Sequence, residues 1–352
     1  MFESLNPKLN FFGLDISDTS IKLADIKKRD GEFTLSHFEK ENLRSGVIEK
    51  GKILNEKMLV SKIEELVDKS NLSRYVAVSL PEENAFFQVV EVPKVKRERM
   101  QEAIEYQAEE SIPLPVEDIY LDYQVIRSKR NGFDVLLAAL PKKVVDSRVL
   151  AVKKAGLFPV VAEVESMSAV RSLVKNDDSP ESLLLIDIGE NKTILTVFSK
   201  GVIVFTSYVL VSSKDLTKKI AEDNDISKYK AEKLKIEHGL IDKDRLDIAE
   251  SLEPLLSEMV EEIEKHLAYY NSCGFKFQNM EGEKLEEIII CGGGAKLKGL
   301  PEFLTDKLNL KVRKGDSFVN ISDKCRDQIE GDGLEYATSF GLALRNFNKD
   351  SF

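Results

Sequence analysis

Hydrophobic positions near the start of the chain come in short blocks separated by polar turns. Phe11-Phe12-Gly13-Leu14-Asp15-Ile16-Ser17 reads as a buried strand running into the turn Ser17–Ser20. Ile21–Ile26 alternates roughly and predicts a second strand, and the Arg29-Asp30-Gly31 turn leads to a third at Phe33–Phe38. Within Asn55–Lys69, Leu59, Ile63, Leu66 and Val67 recur at helical spacing. Strands are expected at Tyr75–Leu80 and Phe86–Val92, each closed by proline. A charged helix at about Lys96–Glu110 stops before Ile112-Pro113-Leu114-Pro115, because proline cannot continue it. Tyr120–Ile126 and Phe133–Leu140 are predicted strands, so 84–155 reads as strand, helix, strand, strand, helix.

A strand at Pro159–Val164 and a helix from Ser166 follow, then the polar break Asn176–Pro180, the best linker candidate. Leu183–Ile188, Thr193–Ser199 and Val202–Val209 then repeat the opening strands. The stretch Ser213–Asn279 is helical, with a long stripe of Leu252, Leu255, Leu256, Met259, Ile263, Leu267 and Tyr270. A stripe of this kind is core far more often than a self-association seam. Glu287–Cys291 is a strand leading into Gly292-Gly293-Gly294. A helix at Pro301–Leu308, a strand at Lys311–Arg313 and a helix at Glu335–Arg345 close the chain. These patterns give a first domain of 1–83 and 156–178, to which helix 335–347 returns. An α+β subdomain, 84–155, is inserted in it. The second domain has its core at 179–212 and 285–334 and a helical part at 213–284.

Composition narrows the function. The 352 residues are 42% hydrophobic and carry a formal charge of −10, which argues against a nucleic-acid binder. Cys273, Cys291 and Cys325 form no CxxC pair, and His37, His238 and His266 are far apart in sequence, so thiolate zinc and His-based metal sites are not expected. No apolar run reaches the ~18–20 residues of a bilayer span, and Met1–Asn10 lacks the apolar core of a signal peptide; the expectation is a cytoplasmic protein.

The two openings share a form. Leu14-Asp15-Ile16-Ser17-Asp18-Thr19-Ser20-Ile21 and Ile186-Asp187-Ile188-Gly189-Glu190-Asn191-Lys192-Thr193 are each a strand ending in Asp, then a polar turn into another strand. Such turns expose backbone N–H groups and small hydroxyls that can surround a phosphate. The aspartates can hold Mg²⁺ through waters. Two ordinary hairpins with polar tips remain the plain alternative. Ile288–Cys291 running into three glycines adds a backbone able to approach a flat ligand.

This order resembles the actin-like ATPase superfamily of actin, sugar kinases, heat-shock chaperone ATPases and the division protein FtsA. The resemblance implies an α/β fold of duplicated actin-like (ribonuclease H-like) domains with an inserted small α+β subdomain. It implies ATP and Mg²⁺ as cofactors. It places Asp15 and Ser17, with Thr19, Ser20 and Lys22, in a first phosphate loop. Asp187, Gly189 and Thr193, with Asn191 and Lys192, fall in a second. Gly292, Gly293 and Gly294, with Lys296, would lie by the adenosine, and Glu232 and Lys235 by the ribose and adenine. Asp15 and Asp187 would hold Mg²⁺ through water, and Glu165 and Asp187 are the catalytic candidates; Glu165 reads equally as an ordinary helix-start acid.

Over nearly its whole length the chain is similar to the type IV pilus assembly protein PilM family. The resemblance runs from Phe2–Pro7 to Phe340–Arg345, and Glu105–Tyr123 is its most diagnostic block. It implies a cytoplasmic adaptor, peripheral at the inner face of the cytoplasmic membrane, that docks the N-terminal tail of PilN, with other pilus motor components as further candidate partners. In the family that tail lies in a groove between the inserted subdomain and the first domain; Phe87, Ile112 and Pro113 are the groove candidates here. Phe86 and Phe87 point to opposite strand faces, one toward core and the other toward a partner.

Two departures bear on the nucleotide. Ser17 stands where the superfamily favours Gly, and Glu190 and Lys192 stand where small residues are common. ATP binding is expected, with hydrolysis slow or absent. No GxxxxGK[ST], GxGxxG after a strand or GxSxG pattern is present. A sugar-type kinase would need a further cleft aspartate, which the sequence does not identify. An FtsA-like membrane tether would need a C-terminal amphipathic helix, and 346–352 is too short and polar.

Overall fold

The computed structural model describes residues 10–70, 72–175, 182–199, 201–273, 285–329 and 331–347, without the side chains of 97 and 271–273. The block Phe2–Pro7, the linker Asn176–Pro180, the side chain of Cys273, the expected helix end 274–279 and the tail beyond 347 lie outside that description. In chain order the elements begin with β1 (Phe12–Ile16), β2 (Ser20–Arg29), β3 (Glu32–Asn42), β4 (Ile48–Glu49), β5 (Lys52–Ile53) and α1 (Glu56–Asp68). Next come β6 (Tyr75–Leu80), β7 (Phe86–Pro93), α2 (Met100–Ser111), β8 (Ile119–Ser128), β9 (Gly132–Pro141), α3 (Lys142–Lys154), β10 (Phe158–Val164) and α4 (Glu165–Leu173). Then follow β11 (Ser182–Ile188), β12 (Thr193–Ser199), β13 (Val202–Val209), α5 (Ser213–Asp223), α6 (Lys228–Glu237) and α7 (Leu246–Cys273). The last are β14 (Glu287–Cys291), α8 (Leu300–Leu308), β15 (Lys311–Lys314) and α9 (Ala337–Leu344).

Two compact units result: Met1–Lys175 with Ser317–Phe352, and Asn176–Asp316. The first holds a sheet of order β10-β6-β1-β2-β3, the second a sheet of order β13-β12-β11-β14-β15. Read from opposite edges, the two orders coincide. In each, an antiparallel meander (β1–β2–β3 or β11–β12–β13) continues into two parallel strands (β6 and β10, or β14 and β15). The strand that ends in aspartate is the middle one both times. Both middle strands are buried almost throughout, and β1 and β11 are almost wholly apolar up to their aspartates.

In the first unit, Phe12, Leu14, Ile16, Leu59, Ile63, Val76 and Val78 form the core between the sheet and α1. Asn55 caps α1 by accepting from the Met58 N–H. Ala151 and Val152 of α3 join this same core. Thus α3, expected as the last piece of the inserted subdomain, buries its apolar face in the larger sheet. The inserted stretch keeps its own three-stranded sheet, β7-β9-β8, with α2 on it. The opposite face of the larger sheet is covered by α9, which packs on β1, β2 and α4. Segment 317–334, expected in the second domain, belongs to the first unit instead. Phe318, Ile321, Cys325 and Ile329 pack with Leu35 and Phe340. The stretch is built of turns and short 3₁₀ pieces, with no long period to assign it by.

In the second unit the stripe on α7 is core: Leu252, Leu256, Met259 and Ile263 are fully buried, and the helix packs on α5, α8 and β13. That removes it as a self-association seam. Among the described residues no helix is long and apolar enough to cross a membrane.

Candidate functional site

The first phosphate turn joins β1 to β2. Asp15, 4% exposed, pairs with Lys22 Nζ at 3.2 Å across the β1–β2 register. Its other oxygen, Oδ1, is buried and has no hydrogen-bond partner. Ser17 closes the turn on itself. Its N–H and hydroxyl donate to the Ser20 carbonyl (2.9 and 3.0 Å), and its Oγ accepts from the Ser20 N–H (3.1 Å). A glycine there would leave the turn without this side-chain brace. Ser20 is buried with its hydroxyl 3.2 Å from that of Ser17, whereas Thr19 is partly exposed and its carbonyl accepts from Leu43 N–H. Two residues that the sequence reading passes over hold the strand end from behind. Ser79 Oγ accepts from Ile16 N–H at 2.9 Å, and Arg148 donates to Ile16 O at 2.5 Å. Glu165, 8% exposed, opens α4 directly after β10.

The second phosphate turn joins β11 to β12. Asp187 pairs with Cys291 in the parallel register of β11 and β14, which puts the carboxylate and the glycine run side by side at two strand ends. In open α/β sheets that end is where ligands bind. Gly292 has φ +79°, and a Cβ on it would stand 2.2 Å from Asp187 Oδ1 and 2.7 Å from Ile188 O. A side chain at 294 would meet Ile188 as closely, while Gly293 is exposed with nothing within 4 Å of its Cβ position. Gly292 and Gly294 therefore let the backbone lie on the turn, and Gly293 is the open face. Burial, with the charge of Asp187 and a hydrogen bond to it, pushes the Cys291 thiol well up, so it stays a neutral packing group.

The turn itself is closed by Gly189 N–H to Lys192 O at 2.9 Å, with Asn191 exposed and Lys192 partly so. Thr193 follows the turn as the first residue of β12. It is fully buried, and its hydroxyl donates to Val211 O at 2.7 Å, which ties the turn to the chain leaving β13. The turn is tied to α5 too: Ser213 N–H donates to Gly189 O, and Lys214 N–H to Glu190 O. A capping box of Ser212 and Asp215 starts that helix.

Glu232 and Lys235 come together on α6, three residues apart, with Nζ to Oε2 2.8 Å. Lys235 is 3% exposed and also donates to Ser213 O, Ser213 Oγ and Thr217 Oγ1 at 2.7–3.0 Å. Burial lowers its affinity for the proton, and Glu232 and Glu190 oppose that. Lys235 thus braces α6 against α5, and half-exposed Glu232 is the member of the pair that faces solvent. Ser213 and Thr217 are not among the sequence candidates, although Ser-Ser-Lys-Asp two residues after a strand is a legible helix start. Lys296 follows the glycines in a short 3₁₀ turn.

The partner-groove candidates separate. Ile112 is 6% exposed and belongs to the core of the inserted subdomain with Val92, Ile104 and Leu137. Phe87 is partly buried against Leu80, Leu140 and Val164, while Phe86 packs on the other cluster. Each ring is thus partly buried, against a different cluster. Pro113 is exposed. It lines a shallow groove of about 360 Å³ with Glu109, Ile112, Leu114, Pro115, Val116 and Glu117.

The model of the family described as type IV pilus assembly protein PilM matches residues 13–347. A chain solved in a PilM–PilN type IV pilus biogenesis complex is similar over 97% of this chain and 100% of its own, at 25% identity and TM-score 0.80. Structures of the ethanolamine utilization protein EutJ from Carboxydothermus hydrogenoformans (16% identity, TM-score 0.58, 98% and 93% covered) and of MreB 5 of Spiroplasma citri bound to AMPPNP (14%, 0.54, 94% and 94%) share the fold. The cell division protein FtsA of Pseudomonas aeruginosa is 22% identical over 224 residues, 57% of this chain and 50% of its own. The chain thus spans about half the length of that curated relative. The duplicated sheets with strand-end aspartates are those of the actin-like fold, and with the match over 13–347 the chain belongs to the type IV pilus assembly protein PilM family.

Proposed function

We propose that this protein is an ATP-binding, actin-like adaptor of the type IV pilus assembly platform that docks the N-terminal tail of PilN. The observation that carries it is the near-complete similarity to a chain of the PilM–PilN complex. The adaptor is cytoplasmic and reaches the inner face of the membrane through that partner. Support for the nucleotide comes from the two Asp-ended strands, the glycine turn lying on Asp187, and a shared fold with an AMPPNP-bound structure.

The residues present fit Mg²⁺. Asp15 Oδ1 is a buried acceptor without a partner, and hard carboxylate oxygens suit this ion through its waters. When bound, the ion neutralises charge on the phosphate oxygens. Asp15, Ser17, Thr19 and Ser20 are the phosphate-binding candidates of the first unit. Asp187, Gly189, Asn191 and Lys192 are those of the second, with Glu232, Gly293 and Lys296 as its nucleoside-binding candidates. Glu165 is the candidate for orienting a water, and turnover is slow or absent. Pro113 and its groove are offered to the partner tail.

The test is a melt with and without Mg-ATP. A ligand at 100 times its Kd stabilises by about 2.7 kcal/mol, which moves the midpoint by roughly 5–10 °C in units of this size. Asp187→Ala removes the shift. No shift at millimolar Mg-ATP, with no nucleotide carried through purification, overturns the nucleotide half. A PilN-tail peptide that fails to bind in calorimetry overturns the adaptor half.

A further inference from the structure

Arg148 is the largest fully buried side chain of the described residues, at 1% exposure, and no part of the nucleotide reading above uses it. It comes from α3 and reaches two carbonyls: Ile16 O at 2.5 Å, the end of β1, and Gly51 O at 3.4 Å, the tip of the β4–β5 hairpin. The same hairpin tip is held from its other side. Asp18, in the middle of the first phosphate turn, accepts from Lys50 N–H at 2.8 Å and Gly51 N–H at 3.0 Å. Lys50 and Gly51 both have positive φ, 49° and 73°, so the tip presents two successive N–H groups to one carboxylate.

Gly51 is therefore gripped at its N–H by Asp18 and at its carbonyl by Arg148, and Arg148 in turn grips the strand from which Asp18 extends. The result is a closed ring of contacts around the turn. Burial weakens the hold of the Arg148 guanidinium on its proton, and the carboxylates of Glu165, Glu83, Asp15 and Asp18 oppose that. Left free, the Asp18 carboxylate would repel a polyphosphate at this turn. Here two N–H groups donate to it, with Arg148 behind, and tie the turn to the hairpin. We propose that Asp18 and Arg148 are positioning residues that clamp the first phosphate turn to the β4–β5 hairpin and thereby set its affinity for a nucleotide polyphosphate. This rests on the nucleotide reading above.

Two readouts on the full chain test it. Amide exchange over residues 13–22 without nucleotide reports the clamp itself; Asp18→Ala and Arg148→Lys should raise it at least tenfold, with the rest of the first sheet unchanged. Mg-ATP titration reports the consequence. Asp18→Ala should weaken binding about tenfold, and Asp18→Asn, which keeps one acceptor, should fall between. If Asp18 were only a repelling charge, both variants would bind more tightly, and the proposal would be overturned. Unchanged exchange in Asp18→Ala, a partly exposed site that folds without difficulty, overturns it too, whether or not the Arg148 variant folds. If the unsubstituted protein binds no Mg-ATP, the nucleotide reading falls. Raised exchange in the variants would still show the clamp, and its proposed role in affinity would be overturned.

Discussion

A single atom decides what residue 292 can be. With φ +79° and Asp187 Oδ1 2.2 Å from its Cβ position, Gly292→Ala is strained and pushes the carboxylate aside. It should abolish the Mg-ATP melting shift, whereas Gly293→Ala, where the Cβ meets nothing within 4 Å, should keep it. Equal behaviour of the two would show that the glycine run is an ordinary loop. Elsewhere, Glu163 takes both Arg171 nitrogens at 2.6 and 3.1 Å and Arg345 at 3.1 Å, all within the first unit. Removing one partner of a buried pair costs about 3–5 kcal/mol, because the remaining charge stays desolvated. Glu163→Gln should lower the melting midpoint by more than 5 °C, and a smaller change would mean that the network is effectively solvated.

Tyr336 supplies a pH dependence. Burial, then the charges of Glu335 and Glu39, push its phenol from 10 up to about 12. The unfolded chain releases this proton near 10 and the folded one near 12, so stability present below pH 10 is lost as pH rises between them. Melts from pH 9 to 12 should show the unsubstituted protein losing ground to Tyr336→Phe only above pH 10. Parallel curves would contradict the burial of this ring against Phe38 and Phe340.

Among elements, α4 and α9 cross in close backbone contact at Gly341. A Cβ at Gly341 would stand 1.7 Å from Ser168 O. Overpacking of this kind costs typically 1–3 kcal/mol and more when only backbone can yield, so Gly341→Ala should lower the midpoint by several degrees or prevent soluble expression. An unshifted melt would mean that the helices separate easily. Elements with a clear period were legible from sequence: β1–β3, α1, β11–β13, α7 and β14. The β4–β5 hairpin was not, because two-residue strands carry no alternation and Lys-Gly is a weaker turn signal than Asn-Gly. The core that α3 serves is not legible for another reason. Arg148 sits among Val144, Val145, Ala151 and Val152 at helical spacing, and a cation in an apolar stripe obscures which core the stripe serves.

At the scale of the molecule, the repeated strand–Asp–turn made the duplication readable, and the solved relatives share its fold. The candidate residues were legible as types, less so as roles. Thr193 and Lys235 are spent on holding turns and helices, and Ile112 on a core. Polar residue types at the expected spacing do not tell a ligand contact from a brace, since both need a donor in the same place. Ending the chain before Leu334 should unfold the first unit by uncovering Phe318 and Leu35, while 182–316 keeps its own sheet. Limited proteolysis would show whether that second sheet survives.

The return of 317–347 to the first sheet also sets an order of events during synthesis. Domains fold as they emerge, at about 5–20 residues per second. The first unit cannot cover Gly13, Ala24 or Leu35 until the second has been made. For roughly ten to thirty seconds the ribosome therefore carries an open apolar sheet face, which is the surface a trigger-type chaperone would shield.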